Sequence, residues 1–194
     1  RGYLALIKQP LLLSAVASGS IGYGVMVLVM TATPLAMQGY GFEFSDVASI
    51  IQWHVLGMFV PSFFTGHLIR WFGSVKVIIF GCLILLGTSV ITQIGFEFTY
   101  FFVALVALGV GWNFTFIGAT HLLTQTYKPS ERARVQGMND MLVFGFSALG
   151  SLFAGSMQLL LGWQTLNLLM IPFILLAGFL VLFNAKKESN LSQQ

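Results

Sequence analysis

Tyr23, Trp112 and Asn113 are the residues of this chain best suited to hold a solute. Tyr23 follows Gly22 and Trp112 follows Gly111, and a glycine there lets a second backbone or a ligand come close. The phenol and the indole each offer an aromatic face with one polar handle. The Asn113 amide is costly in apolar surroundings unless it finds a partner, so it must meet another helix or a wet cavity. Gln52 and His54 add two further polar groups for solute contact. Asp140 is the one acid inside a long apolar tract, where an ionisable group points to gating or proton coupling. Each residue has a plainer alternative. Tyr23, Trp112 and Asn113 can serve interhelical packing with one hydrogen bond. Gln52 and His54 can be polar packing, and Asp140 can face water or pair with a base elsewhere. His54, His67 and His121 do not share a helix face at metal-ligand spacing, so no metal and no other cofactor is expected.

The elements that position these residues follow from composition. Of 194 residues, 57% are hydrophobic and 8% charged, against about 25% charged in a soluble domain. So few charges exclude a soluble enzyme and a disordered segment. The single cysteine, Cys82, excludes a disulfide scaffold. An all-α integral membrane protein remains. A membrane span needs about 20 apolar residues. The tracts between charges, divided at Gly162-Trp163-Gln164, predict six transmembrane helices near 9–37, 46–69, 76–95, 98–127, 132–161 and 164–185. Residues 1–8 are expected to be a surface lead-in and 186–194 a tail. The chain starts at Arg1 without a Met, which suggests a piece of a longer protein.

The nine Lys and Arg residues set the orientation. With six spans, all of them fall on the side that holds both termini, while the opposite loops hold Glu43, Asp46 and Glu97. The positive-inside rule places both termini in the cytoplasm of a cell (inner) membrane. The net charge of +3 is then a basic inner rim and requires no nucleic acid. The lipid bilayer is the obligatory partner.

Sliding the chain on itself by 89 residues aligns Ser62-Phe63-Phe64-Thr65-Gly66 with Ser151-Leu152-Phe153-Ala154-Gly155. It also aligns Gly73 with Gly162 and Gly22-Tyr23 with Gly111-Trp112. The blocks 9–96 and 98–185 hold three helices each, so the second runs inverted, as in secondary transporters with a midplane site. Small residues recur every fourth position at Ser14, Ser18 and Gly22 and at Ser147, Ser151 and Gly155, and read as helix-packing stripes. Pro61 cannot donate to the Gly57 carbonyl, so a kink is expected there, with a hinge as its functional version. Pro172 should bend the last helix.

The connection Gly66-His67-Leu68-Ile69-Arg70-Trp71-Phe72-Gly73-Ser74-Val75-Lys76 resembles the loop signature of the major facilitator superfamily. Gly66, Arg70 and Gly73 carry that likeness, while Arg70 and Trp71 depart from its charged pair, as in the degraded copy between helices 8 and 9. Pro129-Ser130-Glu131-Arg132-Ala133-Arg134-Val135-Gln136-Gly137 is similar to the connection between helices 10 and 11. Ala148 to Gly155, followed by Gly162-Trp163, is similar to the end of helix 11 and the turn into helix 12. The resemblance implies the C-terminal six-helix half-domain of a twelve-helix permease. It implies alternating access for a small-molecule solute, without ATP, against an N-terminal six-helix half of the same transporter. It also implies that the first helix of each triplet lines the cavity.

Three other functions compete with this reading. Gly145-Phe146-Ser147 has the look of an intramembrane protease serine, yet every His precedes it, so the required later base is absent and no enzyme is expected. A water channel would need paired Asn-Pro-Ala loops, and there are none. A solute-binding S component of an energy-coupling-factor vitamin transporter is the remaining alternative, because it has six helices and about this length.

Overall fold

The computed structural model describes residue 6 and residues 8–191, with side chains as far as residue 186. The expected lead-in over 1–8 and tail over 186–194 therefore lie largely outside the described residues. The described residues are helical, with no strand. Helix α1 spans Pro10–Gly39, α2 Phe44–Phe59, α3 Ser62–Phe72, α4 Ser74–Ile91 and α5 Phe98–Thr124. A 3-10 turn at Pro129–Glu131 leads into α6, Arg132–Leu191.

Local chemistry explains the ends. Pro10 opens α1 at a position whose N–H would have no helical partner. Glu43 caps α2 in a capping box, where the Asp46 carboxylate accepts the Glu43 N–H at 3.3 Å. Pro61 has no N–H to offer, so α2 stops at Phe59. The ladder resumes when Phe63 bonds to Val60 at 3.3 Å and Phe64 to Pro61 at 2.8 Å. Val60 and Pro61 keep right-handed helical φ/ψ, so the expected kink is a local interruption of the hydrogen-bond ladder within one span. Pro34 and Pro172 lie within α1 and α6, which continue through them.

Two glycines redirect the chain. Gly73, between α3 and α4, has φ 85° and ψ 156°, and Gly162, inside α6, has φ 76° and ψ 167°. Only glycine adopts this region without strain. Gly162 divides α6 into an arm over 132–161 and an arm over 163–191. Among the described residues, five helices are long and apolar enough to cross a membrane, counting 44–72 as one and α6 as one.

Directions follow from contacts. Along α1, Gly19 approaches Val143, Gly24 approaches Phe146 and Leu35 approaches Gly155, so the first arm of α6 runs parallel to α1. The second arm runs antiparallel, because Ser14 donates to the Leu180 carbonyl at 2.9 Å and Asn184 to the Pro10 carbonyl at 3.1 Å. Helix α5 repeats the scheme. It lies parallel to α2, where Gly57 meets Val106, and antiparallel to α4, where Gly81 meets Thr115 and Gly118 meets Ile78. The two inner helices cross where Gly22 meets Thr115. Accordingly, 78% and 61% of the apolar stretches of α1 and α5 are buried, against 28%, 44% and 33% in the other spans. The outer faces remain apolar, with Phe44, Leu159 and Leu160 at 80% exposure or more. Lipid is the solvent such faces require.

Candidate functional site

Near the middle of the inner pair, five rings from four helices touch. Tyr23 of α1 sets its edge on Trp112 of α5 at 5.3 Å and 85°, and on Phe116 of α5 at 5.2 Å and 80°. Trp112 and Phe116 stack at 5.2 Å and 10°. Phe59 of α2 meets Trp112 at 6.1 Å, and Phe144 of α6 meets Tyr23 at 5.9 Å. Edge-to-face pairs at such separations add about 0.5–1.5 kcal/mol each beyond burial. The indole is buried, Tyr23 and Phe116 are half-buried, and Phe59 and Phe144 are both 58% exposed. The cluster thus grades from a buried base to an open rim.

Its polar atoms are sparse. Among the described residues the Tyr23 hydroxyl has no hydrogen-bond partner. The buried Trp112 Nε1 has none either. The arrangement can stack a planar ring and exchange one hydrogen bond through the phenol. It holds no paired nucleophile and base.

Asn113, next to Trp112, points the other way. It is fully buried, and its Nδ2 donates to the Met58 carbonyl at 2.7 Å and to Ser62 Oγ at 2.7 Å. The Thr65 hydroxyl donates to its Oδ1 at 2.5 Å. These partners bracket the break at Pro61. The amide of α5 therefore fills the gap that proline opens in the neighbouring helix. Of the two sequence expectations for Asn113, the structure shows the interhelical bond, with both amide hydrogens used.

His54 is also fully buried, and its Nδ1 donates to the Leu105 carbonyl at 2.7 Å. The lone pair then lies on Nε2, which is buried without a partner. Gln52, two residues earlier, is exposed on another face, so the two are not brought together. Neither reaches the ring cluster. Asp140 is exposed, and its Oδ1 accepts from Asn139 at 3.2 Å. It lies one helical turn before Phe144 and so shares the face that meets Tyr23. It has no ion pair among the described residues. Pro61 is half-buried beneath the Asn113 clamp. Gly66, Arg70 and Gly73 are exposed, with Arg70 in the last turn of α3. No group of three His, Cys, Asp or Glu among the described residues could hold a metal ion.

Sequence reasoning missed Phe59, Phe116 and Phe144, and also Ser62 and Thr65. Phe116 was within reach, since it stands one turn from Trp112 on the same face. Thr65 stands one turn from Pro61. Nothing local marks Phe59 or Phe144, because each joins the cluster through a different helix.

Comparison with known proteins places these features in context. Residues 4–193 match the family model described as Major Facilitator Superfamily. The chain is 44% identical over 171 residues to "Riboflavin transporter RfnT" of Brucella anthropi, covering 88% of this chain and 43% of that protein. It is 32% identical over 160 residues to "Uncharacterized MFS-type transporter YddS" of Bacillus subtilis, covering 78% and 37%. It is 34% identical over 159 residues to "Uncharacterized MFS-type transporter YdeG" of Bacillus subtilis, covering 77% and 37%. The matched stretch spans 37% to 43% of the length of these curated relatives.

Proposed function

This chain belongs to the Major Facilitator Superfamily, and on that premise we propose that it forms the C-terminal six-helix half of a secondary permease. It is a multi-pass membrane protein of a non-enzymatic transporter family. The family match leaves the S-component alternative without support. Relatives more than twice as long as the matched stretch support a second, N-terminal half as partner.

The six-pass reading counts α6 as two spans, one on each side of Gly162. The inverted repeat is supported by two features. Gly73 and Gly162, 89 positions apart, share one glycine-only conformation between helices. Helices α1 and α5 each lie beside one parallel and one antiparallel neighbour. Both termini lie in the cytoplasm of the cell membrane in this reading, because the nine basic residues then share the inner rim.

The solute is a planar heterocycle, with riboflavin as the first candidate from the relative so named. The ring cluster around the unpartnered Tyr23 hydroxyl carries the proposal. Tyr23 and Trp112 form the seat with Phe59, Phe116 and Phe144. Gln52 and His54 lie earlier on α2 than Phe59; the exposed Gln52 meets the solute only on the path to the seat, and the buried His54 acts by holding α2 against α5. Asp140 and Pro61 serve the gate, the first as a carboxylate one turn from the rim and the second at the break in the α2–α3 span. Alternating access exposes the seat to either side as the two halves rock.

Riboflavin uptake by the full-length transporter in a riboflavin auxotroph tests this. Tyr23→Phe removes one hydrogen bond worth about 1 kcal/mol, so KM should rise roughly fivefold with expression unchanged. Phe116→Ala should raise it further. Unchanged KM in both variants would overturn the seat. Uptake of another planar heterocycle in place of riboflavin would overturn only the choice of solute. In the same assay, a proton dependence kept by Asp140→Asn would restrict Asp140 to gating.

A further inference from the structure

We propose that the cleft between α3, α4 and α5 binds one anionic phospholipid of the cytoplasmic leaflet, with an acyl chain in the cleft and its phosphate at Lys76. The cleft has a volume of about 310 Å³ and is lined by Leu68, Phe72, Lys76, Val77, Phe80 and Phe114. Its floor is made of Val77 and Phe114, both buried, and its sides are the exposed Phe72 and Phe80. The Phe80 and Phe114 rings lie 5.8 Å apart. Five of the six lining side chains are hydrocarbon, and the sixth is a cation.

Lys76 decides the occupant. It lies in the first turn of α4, is exposed, and has no hydrogen-bond or ion-pair partner among the described residues. A cation in that turn opposes the helix dipole. An anion between the ammonium and the uncapped N–H groups reverses the sign of both interactions. Among the described residues no acid pairs with Lys76, and Glu43, Asp46 and Glu97 stand at the start of α2 and α5, in this orientation on the far side of the membrane. Phe80 follows Lys76 by one turn on the same face, so the hydrocarbon path begins at the charge and runs toward the membrane centre. A basic pocket between membrane helices on the cytoplasmic side suits a phospholipid headgroup.

A second cleft acts as an internal control. It has about 260 Å³ between α1 and the two arms of α6, and Met157 and Val25 line it at 89 positions from Leu68 and Phe114. Its lining carries no charged side chain. The same kind of groove thus occurs twice, and the one opening on the basic side alone carries a cation.

The proposal rests on the membrane orientation given above, and that orientation is tested separately by labelling a Lys128→Cys variant from each side. Native mass spectrometry of the purified full-length protein, in micelles doped with phosphatidylglycerol or phosphatidylcholine, tests the lipid. The expected result is retention of one phosphatidylglycerol in several-fold preference to phosphatidylcholine. Lys76→Gln should abolish the preference, Lys76→Arg should restore it, and Lys128→Gln should leave it unchanged. Equal retention of both lipids would overturn the proposal, as would a preference that survives Lys76→Gln. External labelling of Lys128→Cys with the lipid preference intact would overturn the leaflet assignment alone.

Discussion

Helices α5 and α1 each lie against a parallel neighbour, but the two joints are made differently. At the α5 joint, Asn113 donates into the gap at Pro61 and is held by Ser62 and Thr65. At the α1 joint, the position 89 residues earlier is Gly24, and a Cβ on Gly150 would fall 2.8 Å from the Gly24 carbonyl oxygen. One joint adds a directional polar clamp at the Pro61 interruption to a close backbone approach at Gly57 and Gly109. The other is a close backbone approach along unbroken helix. Interhelical contact in lipid has two sources, hydrogen bonding and close packing; the α5 joint combines both, since Cβ atoms on Gly57 and Gly109 would also meet backbone of the facing helix, whereas the α1 joint relies on close packing. The broken joint has a bond network that must be remade if the helices move. The glycine joint can slide without losing a specific bond.

The largest departure should come from Asn113→Leu. It leaves the Met58 carbonyl without its donor and the Ser62 and Thr65 hydroxyls without the amide. A loss of about 2–4 kcal/mol is expected, read as the deepest fall in Tm of the purified protein. A Tm equal to wild type would show that the break needs no clamp. Gly150→Ala should come next, at about 1–3 kcal/mol, since its Cβ meets backbone that cannot rotate away. If Gly150→Ala costs more than Asn113→Leu in the same melt, the close approach is the stronger joint. The smallest effect on stability belongs to Pro61→Ala, within about 1 kcal/mol, because a restored helical bond replaces part of what Asn113 supplies. Its transport rate should nevertheless fall, and an unchanged rate would remove the hinge from Pro61.

Chain breaks were the most legible part of this fold. Pro61 announces the kink in the 44–72 span by lacking a donor, and Gly162 announces the bend in α6 as the glycine of a turn-like Gly162-Trp163-Gln164 inside an apolar tract too long for one span. Charges did the same for α5, whose observed span Phe98–Thr124 lies within the expected 98–127. The site was half legible. Tyr23 and Trp112 stood out as polar aromatics after glycines, and they do meet. Asn113 stood out as well, and of its two readings the structure shows the interhelical bond, whose carbonyl partner Met58 on another helix nothing in the sequence names. Phe59 and Phe144 were invisible among 19 phenylalanines.

What the sequence determined by itself is local in origin. Low charge demands lipid, and the proline at 61 and the glycines at 73 and 162 interrupt or redirect helices, each acting without knowledge of neighbours. Only the tertiary structure decided which helices touch and which faces are left open. The reason is that protein-facing and lipid-facing surfaces are both apolar here, so no helical periodicity distinguishes them. The seat around Tyr23, the Asn113 clamp and the cleft at Lys76 all depend on that second decision.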